Sequence, residues 1–144
     1  MVGRFDGNSI VVDIEVISPI APAVKNMLTV KLDTGASNDL CLTYKEAFPL
    51  ALTLVGVEDY TIADGSTVSF FECIGLIKFG DKTVVSTISI RPSGSLLMGV
   101  GLLNKLGYKL VVDFVNKTVN FEEIKIEPLP APVEVPIKEE GKKE

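Results

Sequence analysis

Apolar and polar residues alternate from Ile10 to Ile17, with Ile10, Val12, Ile14 and Val16 on one side and Asp13 and Glu15 among those on the other. A period of two over this length predicts a strand with one buried face. Pro19 and Pro22 break the pattern. A second apolar strand, Met27-Leu28-Thr29-Val30-Lys31-Leu32, then runs into the turn-like string Asp33-Thr34-Gly35-Ala36-Ser37. Asn38 to Leu42 continues as a short strand. Thr43 and Glu46 have capping-box spacing, which predicts a short helical turn from Tyr44 to Phe48, ahead of Pro49.

From Asp59 onward the pattern predicts two successive hairpins. Tyr60 to Ala63 and Thr67 to Phe79 flank Asp64-Gly65, and Thr83 to Ile90 follows a second turn at Gly80-Asp81-Lys82. The Asp64-Gly65 tip suits either a flap projecting over a cleft or an ordinary surface hairpin. Leu96-Leu97-Met98 then leads through Gly99-Val100-Gly101 into a short helix capped by Gly107. Gly99 and Gly101 admit close approach by another backbone, or simply helix packing. Tyr108 to Phe114 and Val119 to Ile124 read as a last hairpin. Pro128, Pro130, Pro132 and Pro136 and the charged end beyond them predict a disordered tail over residues 125–144, after one all-β domain over residues 1–124.

Composition narrows the chemistry. The chain has 144 residues, is 47% hydrophobic and contains no histidine, which excludes Ser-His-Asp and Cys-His catalysis and imidazole-ligated metals. A net charge of −5 gives no basic footprint for DNA or RNA. Lys or Asp interrupts every apolar run before the roughly 20 residues that span a bilayer, so no membrane association is expected, and no export signal stands out. The expected location is cytoplasmic. Cys41 and Cys73 lie far apart among apolar neighbours, which favours buried free thiols over a disulfide.

Carboxylates remain as the natural acid-base groups. Asp33 leaves a strand on a tight turn, Thr34 offers a hydroxyl to brace that turn, and Gly35 allows unusual backbone angles and close contacts. One such carboxylate does little chemistry. Two brought together share a proton and so supply a general acid and a general base at once.

The order of Asp33-Thr34-Gly35-Ala36-Ser37, the Asp64-Gly65 hairpin and Leu96-Leu97-Met98-Gly99 running into Leu102-Leu103 resembles the retropepsin-like aspartic proteases, single-lobed relatives of pepsin. The resemblance implies a small closed β-barrel with one or two short helices, no cofactor, no metal, and a homodimer acting as an endopeptidase on peptide or protein substrates. Asp33 would be the catalytic acid, one from each subunit. Thr34 would bond across the twofold axis, Gly35 would contact substrate backbone, and Ala36 would line the cleft beside Ser37. Ala63, Asp64, Gly65 and Ser66 would form the flap tip, and Gly99 would support the loop. A largely apolar cleft would favour extended peptides with hydrophobic residues at the scissile bond. Viral members commonly pair an acidic residue two after the motif glycine with an Arg after the later glycine; Ser37 and Val100 stand there instead. A catalytically inactive dimeric module that binds peptides is the alternative reading, and an unrelated barrel with Asp33 in solvent is another.

Overall fold

The computed structural model describes residues 2–124; the expected Pro-rich tail lies outside them. In chain order the elements are β1 (Val2–Asp6), β2 (Ser9–Ile17), β3 (Lys25–Leu32), β4 (Leu40–Thr43), α1 (Tyr44–Ala47), β5 (Thr53–Thr61), β6 (Thr67–Phe79), β7 (Lys82–Arg91), β8 (Leu97–Met98), α2 (Val100–Leu106), β9 (Tyr108–Asp113) and β10 (Thr118–Glu123). A single 3-10 turn, Phe48–Leu50, extends α1.

Strands β6, β7, β4, β8, β3 and β2 are hydrogen-bonded in that order, and β2 returns to β6 with Glu15, Val16 and Ile17 opposite Lys78, Ile77 and Leu76. That pairing closes the sheet into a ring, the small closed β-barrel that the resemblance implies. Most neighbours are antiparallel, but β4 runs parallel to β7 and β3 parallel to β8. β5 pairs only with β6 and forms an outer arm, while β1, β10 and β9 make a terminal sheet attached through β1 to β2.

Alternate residues of β2 fill the interior: Val12, Ile14 and Val16 are fully buried with Val30, Leu40, Leu42, Ile77, Ile88 and Met98. Each such side chain contributes about 1.5–3 kcal/mol relative to exposure. α2 closes one side with Leu102 and Leu106. Its C-terminus is capped as predicted, with Gly107 in the left-handed region (φ 67°) and its N–H donating to the Leu103 carbonyl. Lys82 adds a bond from Nζ to the Leu106 carbonyl at 2.6 Å.

Three expectations need correction. β1 was not anticipated, because Val2 is exposed and the strand is created by pairing with β2 and β10 rather than by a face of its own. β5 begins at Thr53 and ends at Thr61, so Ile62 and Ala63 belong to the turn; almost every β5 residue is exposed, which erases the alternation that would reveal it. The capping box is not made: the Thr43 hydroxyl bonds the Glu46 carboxylate, and neither side chain caps a backbone N–H.

Cys41 and Cys73 are free and buried. Cys41 lies opposite Ser89 and Cys73 opposite Ile88, which are adjacent residues of β7. Successive strand residues point to opposite faces, and strands two apart are separated by about 9–10 Å, so no disulfide can join these thiols.

Candidate active site

The parallel pairing of β3 with β8, Lys31 opposite Leu97 and Leu32 opposite Met98, continues one residue past the strand end. The Asp33 N–H donates to the Met98 carbonyl at 2.9 Å, so the backbone of Asp33 is still held in sheet register as the chain turns. Its carboxylate Oδ1 accepts the Gly35 N–H at 3.1 Å, and the Ala36 N–H donates to the Asp33 carbonyl at 3.1 Å. This is the side-chain-mimicked turn that Asp readily makes. Asp33 is half-buried, while Thr34, Gly35 and Ser37 are exposed and Ala36 is half-buried.

Behind the turn stands the N-terminus of α2. The first amides of a helix have no partner within it. Here the loop supplies them: Gly99 N–H donates to the Asp39 carbonyl (2.9 Å), Val100 N–H to Ala36 (2.8 Å) and Gly101 N–H to Asn38 (3.1 Å). The helix start and the loop are therefore stitched backbone to backbone. A Cβ at Gly99 would lie 2.1 Å from the Asn38 carbonyl oxygen, and one at Gly101 would lie 2.4 Å from Asp39 Oδ1 and 2.9 Å from the Ser37 carbonyl. Of the two readings of this glycine pair, close backbone approach is the one the geometry requires. Gly35 is different. It does not occupy the left-handed region, and a Cβ there would meet only Asp33 Oδ1, at 3.3 Å. Nothing within the single chain demands glycine at 35, which corrects the expectation that its backbone angles need one.

The β5–β6 hairpin ends in a compact turn. Ile62 N–H donates to the Ser66 carbonyl and Gly65 N–H to the Ile62 carbonyl, both at 2.9 Å, and Gly65 has φ 84°. Asp64 Oδ1 accepts from the Ser66 hydroxyl (2.6 Å) and the Ser66 N–H (2.8 Å), which hold its carboxyl below the usual range. Ala63, Asp64, Gly65 and Ser66 are all exposed at the tip.

From that hairpin inward, the registers of β5, β6, β7 and β4 bring alternate residues to one face. Glu58 lies opposite Phe70, Glu72 opposite Ser89, and Ser89 opposite Cys41; with Asn38, Tyr60 and Arg91 they line an open pocket. Glu72 accepts the Ser89 hydroxyl at 2.7 Å, Tyr60 donates to Glu58, and Arg91 Nη2 donates to the Ser95 carbonyl at 3.2 Å. Burial pushes the Cys41 thiol up, opposed by the nearby Arg91 charge and the Asn38 amide and reinforced by the carboxylates of Glu72 and Asp33. The wall carries two carboxylates, Glu58 and Glu72, and the guanidinium of Arg91 beside the apolar Cys41 and Phe70. On the outer side of the turn, Thr34, Gly35, Ala36 and Ser37 form a shallow open depression with Val100, Gly101 and Asn104.

One residue of this region escaped sequence reasoning. Asp39 is only 7% exposed; its Oδ2 accepts the Thr87 N–H (3.1 Å), the Thr87 hydroxyl (3.2 Å) and the Ser86 hydroxyl (3.5 Å), and forms an ion pair with Lys105. In sequence it is one acid in a polar loop. Its only signal is its place immediately before the wholly buried strand β4.

No family model matches the chain, and no curated protein matches it. Among solved structures, the EIAV protease complexed with the inhibitor HBY-793 superposes with a TM-score of 0.52 at 21% identity, over 75% of this chain and 100% of that one. The ring of β-strands, the short α2 and the turn at the end of β3 thus form a retropepsin-like fold.

Proposed function

We propose that the protein is a homodimeric aspartic endopeptidase. The observation that carries this reading is the Asp33-Thr34-Gly35 turn, delivered by β3 and stitched to β8 and α2, in a fold shared with a protease. The chain contains one such motif, so a pair of carboxylates requires two subunits meeting at a twofold axis. The exposed Thr34 hydroxyl, which makes no hydrogen bond among the described residues, would bond the partner loop. Gly35, which the chain itself does not need as glycine, leaves room for a substrate backbone.

In the dimer, the two Asp33 carboxyl groups share one proton because neighbouring like charges resist joint ionisation. The ionised one takes a proton from a water held between them, and that water attacks the peptide carbonyl. The protonated one donates a hydrogen bond to the carbonyl oxygen and stabilises the tetrahedral intermediate. The β5–β6 hairpin acts as the flap, with residues 63–66 closing over an extended peptide.

Replacement Asp33→Asn is the test. Peptide cleavage should fall by about a thousandfold, within the range for losing a positioned acid-base group, with circular dichroism and sedimentation unchanged. The wild type should show an acidic or mildly acidic optimum belonging to the pair. Unaltered turnover in the variant sinks the proposal. Peptide binding by a wild type that never cuts would support the inactive-module reading instead.

A further inference from the structure

We propose that the ion pair between the buried Asp39 carboxylate and the exposed Lys105 is the positioning device of the Asp33 turn, a role that the uncharged Ser37 and Val100 cannot fill. The inference rests on the endopeptidase reading for its effect on catalysis, but its geometry stands within one chain. The loop from Asp33 to Asp39 is pinned at both ends: at the front by the Asp33 N–H to Met98, at the back by residue 39. At Asp39 restraints from several elements converge. Its carbonyl receives the Gly99 N–H, and its carboxylate receives Thr87 and Ser86 of β7 and Lys105 of α2. Three separate pieces of chain, the loop, the barrel wall and the helix, are therefore referenced to one side chain.

A carboxylate this buried is costly unless it is paired and hydrogen-bonded. The Ser86 and Thr87 donors are neutral, so Lys105 supplies the compensating positive charge. Lys105 stands on the last turn of α2, one helix length from Gly99, and fixes the far end of the helix whose near end is stitched to Ala36 and Asn38. Loss of that charge leaves a buried carboxylate without its counter-charge, and the helix and loop lose their common reference. A displacement on the order of 1 Å at reacting groups can cost about a hundredfold in rate. Lys105 touches no substrate in this scheme. It acts through the attitude of the turn.

The experiment combines native-state amide hydrogen exchange with steady-state peptide cleavage for the full chain and its Lys105→Met and Lys105→Arg variants. Lys105→Met should lower kcat about ten- to a hundredfold, as expected for misplacement rather than lost binding, with KM nearly unchanged. Exchange at Val100 and Gly101 should accelerate about tenfold or more while the β9–β10 hairpin stays as in the wild type. Lys105→Arg should restore both readouts. If Lys105→Met does not fold, Lys105→Gln, which keeps length and a donor without the charge, replaces it. Uniform acceleration across the molecule, or unchanged local exchange, overturns the proposal. If the wild type cleaves nothing yet the local exchange pattern appears, the protease reading has failed and the pin has not.

Discussion

A methyl group added at Gly99 meets a backbone oxygen, not a side chain that can swing aside. With the ideal Cβ 2.1 Å from the Asn38 carbonyl, Gly99→Ala has to push the loop off the helix start. Overpacking of this kind costs about 1–3 kcal/mol or more, so urea unfolding should show a clear loss of stability. Gly35→Ala is the contrast. Its added methyl faces only the Asp33 carboxylate at 3.3 Å, so the subunit should unfold within about 1 kcal/mol of wild type, less than overpacking costs; cleavage should nevertheless fall. At this scale the sequence was informative where a residue type is rare. Asp33, Thr34 and Gly35 form a recognisable turn at the end of an apolar strand, whereas Asp39 looks like any surface acid, since only tertiary contacts with Thr87 and Lys105 bury it.

Between elements, Arg4 of β1 reaches over β2 to Asp13, at 2.8 Å and 3.2 Å, and Thr29 of β3 donates to the same carboxylate at 2.6 Å. The Arg4 bond, then the Thr29 bond, hold the Asp13 carboxyl below the usual carboxylate range. A lowered folded-state pKa means that this tie stabilises the fold above the unfolded value and that the gain is lost as pH falls through the folded one. Thermal melts of wild type and Asp13→Asn should therefore differ most near neutrality and converge as pH drops below about 4, the ordinary carboxylate region. Because these groups are about half exposed, the difference should be small and should shrink further in salt. The elements themselves were legible in proportion to their amphipathicity. β2 and β3 alternate and were read directly, but β1 and the first half of β5 are strands by virtue of their neighbours, and local periodicity carries no trace of that.

For the molecule as a whole, closure of β2 onto β6 decides how the barrel opens. β6, β7 and β4 are links of the ring, so the strands that carry Cys73 and Cys41 separate only when a closed circuit of pairing breaks, and both side chains are almost wholly buried although Cys41 borders the open pocket. Burial also pushes both thiols up, keeping them protonated and unreactive near neutrality. Labelling by a thiol reagent should therefore be slow for both cysteines in the absence of denaturant and should accelerate on unfolding; fast labelling of either in the native protein contradicts this. Closure of the ring was foreseeable only through resemblance, because pairing between strands 60 residues apart leaves no local mark.

The sheet formed by β1, β10 and β9 carries a further consequence. Both ends of the described chain are tied down by the molecule's own strands, Val2 against Asn120 and Gly3 against Val119. Among the described residues this sheet is made of the subunit's own strands. For the proposed homodimer, this arrangement of folded subunits predicts that dilution abolishes peptide cleavage without denaturing the chain, with recovery on reconcentration.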